Sequence, residues 1–166
     1  MYDFKIEAGD KPTLYADIAS ALEGLVAGEP DGVANMANAA SLIWESLPEI
    51  NWVGFYRNIS GELVLGPFQG RPACVRIAMG AGVCGTAARE RRSILVPDVD
   101  AFPGHIACDT ASRSELVVPL LDDGRLLGVL DLDSPDLARF DAEDRDGCEA
   151  VASIVVRHLA RSVLFR

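Results

Sequence analysis

The sequence predicts an α+β fold, a central and mostly antiparallel sheet with helices at both ends of the chain. Three observations carry that expectation. Apolar stripes at helical spacing lie near the two termini. The middle of the chain is a series of short β-rich runs separated by turn residues. The runs at 115–121 and 126–133 are apolar on both faces, so another layer must cover each side.

The elements follow in order. Leu14, Ile18, Leu22 and Leu25 mark a helix over 11–25. A second helix is expected to begin near Pro30 and Asp31, because proline suits the first turn of a helix. Val33, Met36, Ala40, Ile43, Trp44 and Leu47 form its stripe, and Pro48 stops it. Strands are expected at 51–57, 63–65, 75–78, 94–96, 115–121 and 126–133, with turns at 58–61 and 122–124. A short helix should follow Gly82, over 83–91. The last helix starts after Asp141, a capping side chain, with Glu143 and Asp144 in its first turn. Cys148, Val151, Val155, His158, Leu159 and Ser162 continue its stripe. The long loop at 97–113 contains Cys108, and ordered loops of that length are uncommon unless they form lids or sites.

Length and composition narrow the function. The 166 residues, 49% of them hydrophobic, suit one domain over 1–166 with a real core. Fifteen Lys and Arg against 25 Asp and Glu give a net charge of −10. Such a balance disfavours nucleic acid and anionic membranes as partners, since both are held by clustered cations. The apolar runs fall well short of the roughly 20 residues needed to cross a bilayer. The first residues carry no secretory pattern, so the expected location is the cytoplasm. Thiols stay reduced there, and four cysteines are then not a structural disulfide framework.

Cys74, Cys84 and Cys108 are scattered over one stretch without a CxxC pair, a pattern that favours sulfur redox chemistry over a metal site. A zinc set of Cys74, Cys84, His105 and Cys108 contains a single close pair, His105 and Cys108, and structural zinc usually takes two. Cys148, on a helix stripe, reads as a small buried hydrophobe. Cys84 lies near a helix start, where the helix dipole would make the thiol more acidic. Cys74 is expected to open a strand. His105, three residues before Cys108, either biases it towards thiolate or simply packs the loop.

Carboxylates and aromatics complete the pattern. Asp131 and Asp133 share a strand face because side chains alternate. A three-residue loop at 122–124 would pair Leu121 with Arg125, and so Glu115 with Asp131. Glu115, Asp131 and Asp133 would then crowd one face, an arrangement that requires a cationic partner or a bound proton. Trp52 and Tyr56 also share a face, with Gly54 leaving a gap between them that suits a pocket floor. An aromatic face beside carboxylates favours an ammonium group. The bland alternatives are a core-facing strand and a strand end entering solvent.

The segments NWVGFY, LGPFQGRPACVRI, GVCGTAA, DVDAFPGHIACD, SRSELVVPL and LGVLDLDSP closely resemble the free methionine-(R)-sulfoxide reductases, single-domain enzymes of the GAF fold. The likeness runs from residue 15 to the C-terminus and is dense over 51–135. It implies a GAF-like α+β architecture, with the terminal helices packed on one face of the sheet and a long active-site loop on the other. It also implies that Cys108 attacks the sulfoxide, that Cys74 is its disulfide partner, and that Cys84 is a second or alternative resolving thiol. Trp52, Tyr56, Glu115, Asp131 and Asp133 match its substrate pocket, and Cys148 has no role in it. The implied reaction is reduction of free L-methionine-(R)-sulfoxide through a sulfenic acid and an intramolecular disulfide, recycled by a thioredoxin-like dithiol. Glu115 or one of the two aspartates would supply the proton that the departing oxygen needs. No metal or organic cofactor is implied, and a homodimer is. The main alternative is a GAF-type module that binds or senses a small molecule without turnover, for which the length leaves no expected output domain. A redox-sensing adaptor is a third.

Overall fold

The computed structural model describes residue 6, residues 9–106 and residues 110–159. Helices α1 (Lys11–Val26) and α2 (Gly32–Ser46) come first, followed by strands β1 (Trp52–Ile59), β2 (Glu62–Gly70) and β3 (Arg76–Ala78). Helix α3 (Gly82–Glu90), strand β4 (Ile94–Val96) and a 3₁₀ turn (Val99–Ala101) lead to β5 (Ser114–Asp122), β6 (Arg125–Ser134) and helix α4 (Ala142–Leu159). The six strands form one sheet in the order β3-β2-β1-β6-β5-β4, and every ladder is antiparallel. Among the described residues no helix is long and apolar enough to cross a membrane.

Strand alternation sorts the sheet into two faces. Val53 and Phe55 of β1, Leu116 and Val118 of β5, and Leu130 and Leu132 of β6 pack against α1, α2 and α4. Trp52, Tyr56, Val117 and Val129 point the other way, where α3 contributes Val83, Cys84 and Ala87. The long helices therefore take one face, as expected. The second face belongs to α3 and the segments around it.

Both hairpins are tighter than their sequences suggest. Ile59 pairs with Glu62 across Ser60 and Gly61, whose φ angles are 53° and 85°. Asp122 pairs with Arg125 across Asp123 and Gly124, at 47° and 81°. Two successive left-handed residues make a turn whose twist matches that of the strands, so a two-residue turn displaces the expected three-residue loop at 122–124. A ladder irregularity between Leu120 and Leu121 then sets the register. Glu115 faces Asp133, and Asp131 faces Val117, which corrects the expected pairing of Glu115 with Asp131.

Other boundaries shift for local reasons. Asp31 caps α2 by accepting from Ala34 N, so Pro30 lies before the cap instead of inside the first turn. Trp44 is 37% exposed and off the buried stripe. Strand β2 runs on to Gly70 because Gly66 and Pro67 together oppose Phe55, a bulge that accommodates a residue without an N–H. Cys74 precedes β3 and does not open it.

Helix α4 starts where Asp141 accepts from Glu143 N and Asp144 N, while Asp144 accepts in return from Asp141 N. This reciprocal cap satisfies otherwise orphaned donors. Asp144 does more than its sequence position suggests. Buried, it accepts from Tyr15 Oη at 3.0 Å and pairs with Lys11 at 2.6 Å and Arg139 at 3.2 Å, tying α1 to α4. Cys148 is buried with its Sγ 3.7 Å from Tyr15 Oη, the core thiol its stripe predicts.

Candidate active site

The second face of the sheet carries the chemistry-bearing residues. Strand β1 supplies Tyr56, β5 supplies Glu115, and β6 supplies Asp131 and Asp133. The corrected register leaves all three acids on one face, since shifting the pairing by two residues does not turn a strand over. Helix α3 crosses this face and brings in Cys84. Together with His105 these side chains line a narrow cleft, whose apolar walls include Ile77, Val83 and Ile106. Tyr56, Asp131 and Asp133 also line a small adjoining cavity, walled by Trp52, Arg71 and Ala73.

Distances inside the cleft are short. Cys84 Sγ lies 4.0 Å from Glu115 Oε1, and His105 Nε2 lies 3.6 Å from Glu115 Oε2. Glu115 and Asp131 are each only 6% exposed. Asp131 Oδ1 has no hydrogen-bond partner among the described residues, which leaves a buried acceptor on the cleft wall. Asn51 Nδ2 donates to Ser112 Oγ at 3.1 Å, fixing the end of the long loop beside β1.

Burial decides the charge state. It pushes Glu115 well above the ordinary carboxyl range, helped by the negative fields of Asp131 and Asp133. Asp131 is raised to about 7 by burial, against the lowering effect of hydrogen bonds from Cys84 and Glu115. The Cys84 thiol is also pushed well above its ordinary value, first by burial and then by Asp131 and Glu115. The acidity expected from its place in the first turn of α3 is therefore outweighed: a partial helix charge is small beside desolvation and two carboxylates. Burial likewise raises the Tyr56 phenol, with Asp131 adding to it. His105 is lowered by burial, with Asp100 opposing, so its contact with a protonated Glu115 joins two neutral groups.

The acid cluster thus holds protons where the sequence required a cation or a proton. Ligand-type atoms of Cys84, Glu115 and Asp131 lie within 4.8 Å of one another, close enough to share a cation. A metal would have to displace protons from three groups whose burial favours the neutral form, so protons are the cheaper counter-charge.

Trp52 stacks on Tyr56 with ring centroids 6.0 Å apart and on Phe68 at 5.4 Å. Its Nε1 donates to Arg71 O at 3.1 Å. Gly54 is not an open gap: a side chain there would collide with Phe68 and the Trp52 ring, so glycine makes room for the stack itself. Phe68 lies beyond the strand expected at 63–65, and the ladder sets it opposite Gly54. Its spacing from Trp52 across a hairpin was the usable signal. Cys74 is half-buried and held in a disulfide, whereas Cys84 and Cys148 are free thiols. Cys108, the expected nucleophile, lies outside the described residues.

The GAF domain family matches residues 36–160. The free methionine-R-sulfoxide reductase of Escherichia coli is 46% identical over 151 residues, covering 91% of this chain and 92% of that protein. The Saccharomyces cerevisiae protein of the same name is 44% identical over 154 residues, covering 88% of this chain and 86% of its own. The structure superimposes with a TM-score of 0.94 on the free methionine-R-sulfoxide reductase of Neisseria meningitidis in complex with its substrate, at 46% identity and covering 98% of each chain.

Proposed function

This chain belongs to the free methionine-(R)-sulfoxide reductases, a GAF-domain family, and on that premise we propose that it reduces free L-methionine-(R)-sulfoxide to L-methionine in the cytoplasm. The observation that carries the proposal is the buried acid cluster of Glu115, Asp131 and Asp133, set between a thiol-bearing helix and an aromatic wall. Free methionine sulfoxide presents an ammonium group, a sulfoxide and a short apolar chain. Asp131 and Asp133 take the ammonium, with Asp131 Oδ1 as a ready acceptor, and the Trp52 and Tyr56 rings pack against the methyl end.

Cys108 attacks the sulfoxide sulfur as thiolate, and the sulfoxide oxygen takes a proton from Glu115, which burial keeps protonated near neutral pH. Methionine leaves, and the oxygen remains on Cys108 as a sulfenic acid. Cys74 condenses with it to a disulfide and releases water. A thioredoxin-like dithiol then reduces that disulfide by exchange. The disulfide state of Cys74 supports ranking it first as the resolving thiol, with Cys84, buried and free, as the second. The reaction as written requires neither metal nor organic cofactor, and the enzyme acts as a homodimer.

The test incubates the reduced protein with each epimer of free methionine sulfoxide and a dithiol, and measures methionine. Turnover of the R epimer alone is expected, together with its loss in Cys108→Ser. Failure to reduce the R epimer would leave the non-catalytic binding module as the better reading. A peptide carrying the same sulfoxide should be a poor substrate, because an acylated amine brings no ammonium to the acid cluster.

A further inference from the structure

We propose that His105 is the proton relay of this cleft, acting through Glu115: its imidazole orients the carboxyl proton before turnover and restores it from solvent afterwards. The inference rests on the reductase reading.

The two oxygens of Glu115 have different neighbours. Oε1 faces Cys84 Sγ at 4.0 Å, and Oε2 faces His105 Nε2 at 3.6 Å. The second contact is slightly long for a hydrogen bond, as such contacts often are before substrate tightens the site. Side-chain exposure rises from 8% at Glu115 to 15% at His105, so the imidazole reaches from the buried acid towards the outside. The backbone of His105 is held by the turn after the 3₁₀ segment, where Phe102 O accepts from His105 N at 3.1 Å. The chain has two histidines, and the other, His158, sits on α4 beside Glu23, in the helix layer across the sheet.

The reaction needs such a group. Each turnover moves one proton from Glu115 to the sulfoxide oxygen, which keeps it as the sulfenic hydroxyl and carries it away as water when the disulfide forms. Glu115 is left as a buried anion beside Asp131 and Asp133, where like charges repel. His105 takes a solvent proton on one ring nitrogen and returns the Nε2 proton to Glu115, ending neutral. One solvent proton enters through His105 per cycle and the proton that Cys108 loses on becoming thiolate leaves to solvent, so none is consumed overall, and no electrons move in this step. Among the described residues, the titratable groups around the ring and its partner are Glu115 on β5, Asp100 on the 3₁₀ turn, Cys84 on α3, Tyr56 on β1, and Asp131 and Asp133 on β6. Burial favours the neutral imidazole, whose Nε2–H faces Glu115 Oε2 and whose bare Nδ1 can take the solvent proton, and Asp100 favours its transient protonation.

Steady-state methionine formation from the free R sulfoxide is compared in wild type, His105→Ala and His105→Gln, with and without added imidazole. His105→Ala is expected to lose about 100-fold in kcat, with KM little changed, and to recover as imidazole concentration rises. His105→Gln keeps the volume and a donor but cannot shuttle a proton, so it should be slow and insensitive to imidazole. Turnover in His105→Ala equal to wild type, or a loss that imidazole does not relieve, would overturn the relay while the reductase reading stands. No turnover in wild type would overturn both.

Discussion

Glu115 and Asp131 are carboxylic acids that their surroundings make weaker still. Replacing Glu115 by Gln keeps the shape and removes the transferable proton, so kcat for the free R sulfoxide should fall by about 100-fold or more. A methionine-formation assay checks this, and an unchanged rate would move the proton to another donor. Asp131 titrates near its ordinary 3.8 in the unfolded chain and at about 7 in the fold. The folded protein therefore binds the extra proton between those values, and the stability that Asp131 contributes is complete below about pH 4 and lost as pH rises through about 7. Asp131→Asn removes that slope. Its Tm should exceed wild type by several degrees at about pH 8, and the gap should close as the pH falls towards 4. Which acids would cluster was legible in the sequence, because alternation puts 131 and 133 on one side of a strand. Their charge state was not, since it depends on desolvation by residues from β1, β5 and α3. The same desolvation reversed the expectation for Cys84.

At the scale of elements, two hairpins and two ladder irregularities place the site. The β5–β6 turn holds Asp123 and Gly124 in the left-handed region, and together with the irregularity between Leu120 and Leu121 this sets Glu115 opposite Asp133. Asp-Gly is a recognisable two-residue turn, but Asp-Asp-Gly fits two loop lengths equally well, and only the completed ladder chooses between them. The cluster survived the error because the slip was two residues, which preserves the face. In β1 the close approach of Trp52 and Phe68 over Gly54 is an element-level constraint. Gly54→Ala should overpack this stack and cost about 1–3 kcal/mol. Urea denaturation should show it, with a shift in Trp emission as the ring is displaced. An unaltered midpoint and spectrum would mean that the β1–β2 bulge absorbs the methyl group.

For the whole molecule, the sheet separates a supporting layer from a reacting one. Asp144 is the centre of the supporting layer, binding Lys11, Tyr15 and Arg139 from separate parts of the chain. Asp144→Ala leaves the nearly buried Arg139 with only the exposed Glu49, at 3.6 Å, as ion-pair partner and should lower stability by about 3–5 kcal/mol. The refolded fraction should keep its turnover per folded molecule, because α4 and the cleft lie on opposite faces; a matching loss of kcat would show the layers to be coupled. By itself the sequence determined the order of helices and strands, the two-faced strands, and the residue types of the cleft, because periodicity and alternation are local properties. It also carried the family likeness. The tertiary structure alone decided the register of β5 on β6, the third ring of the aromatic stack, the protonated state of the acids, and the contact of His105 with Glu115. Those depend on groups far apart in the chain, whose separation and solvent exposure exist only once the sheet has closed around them.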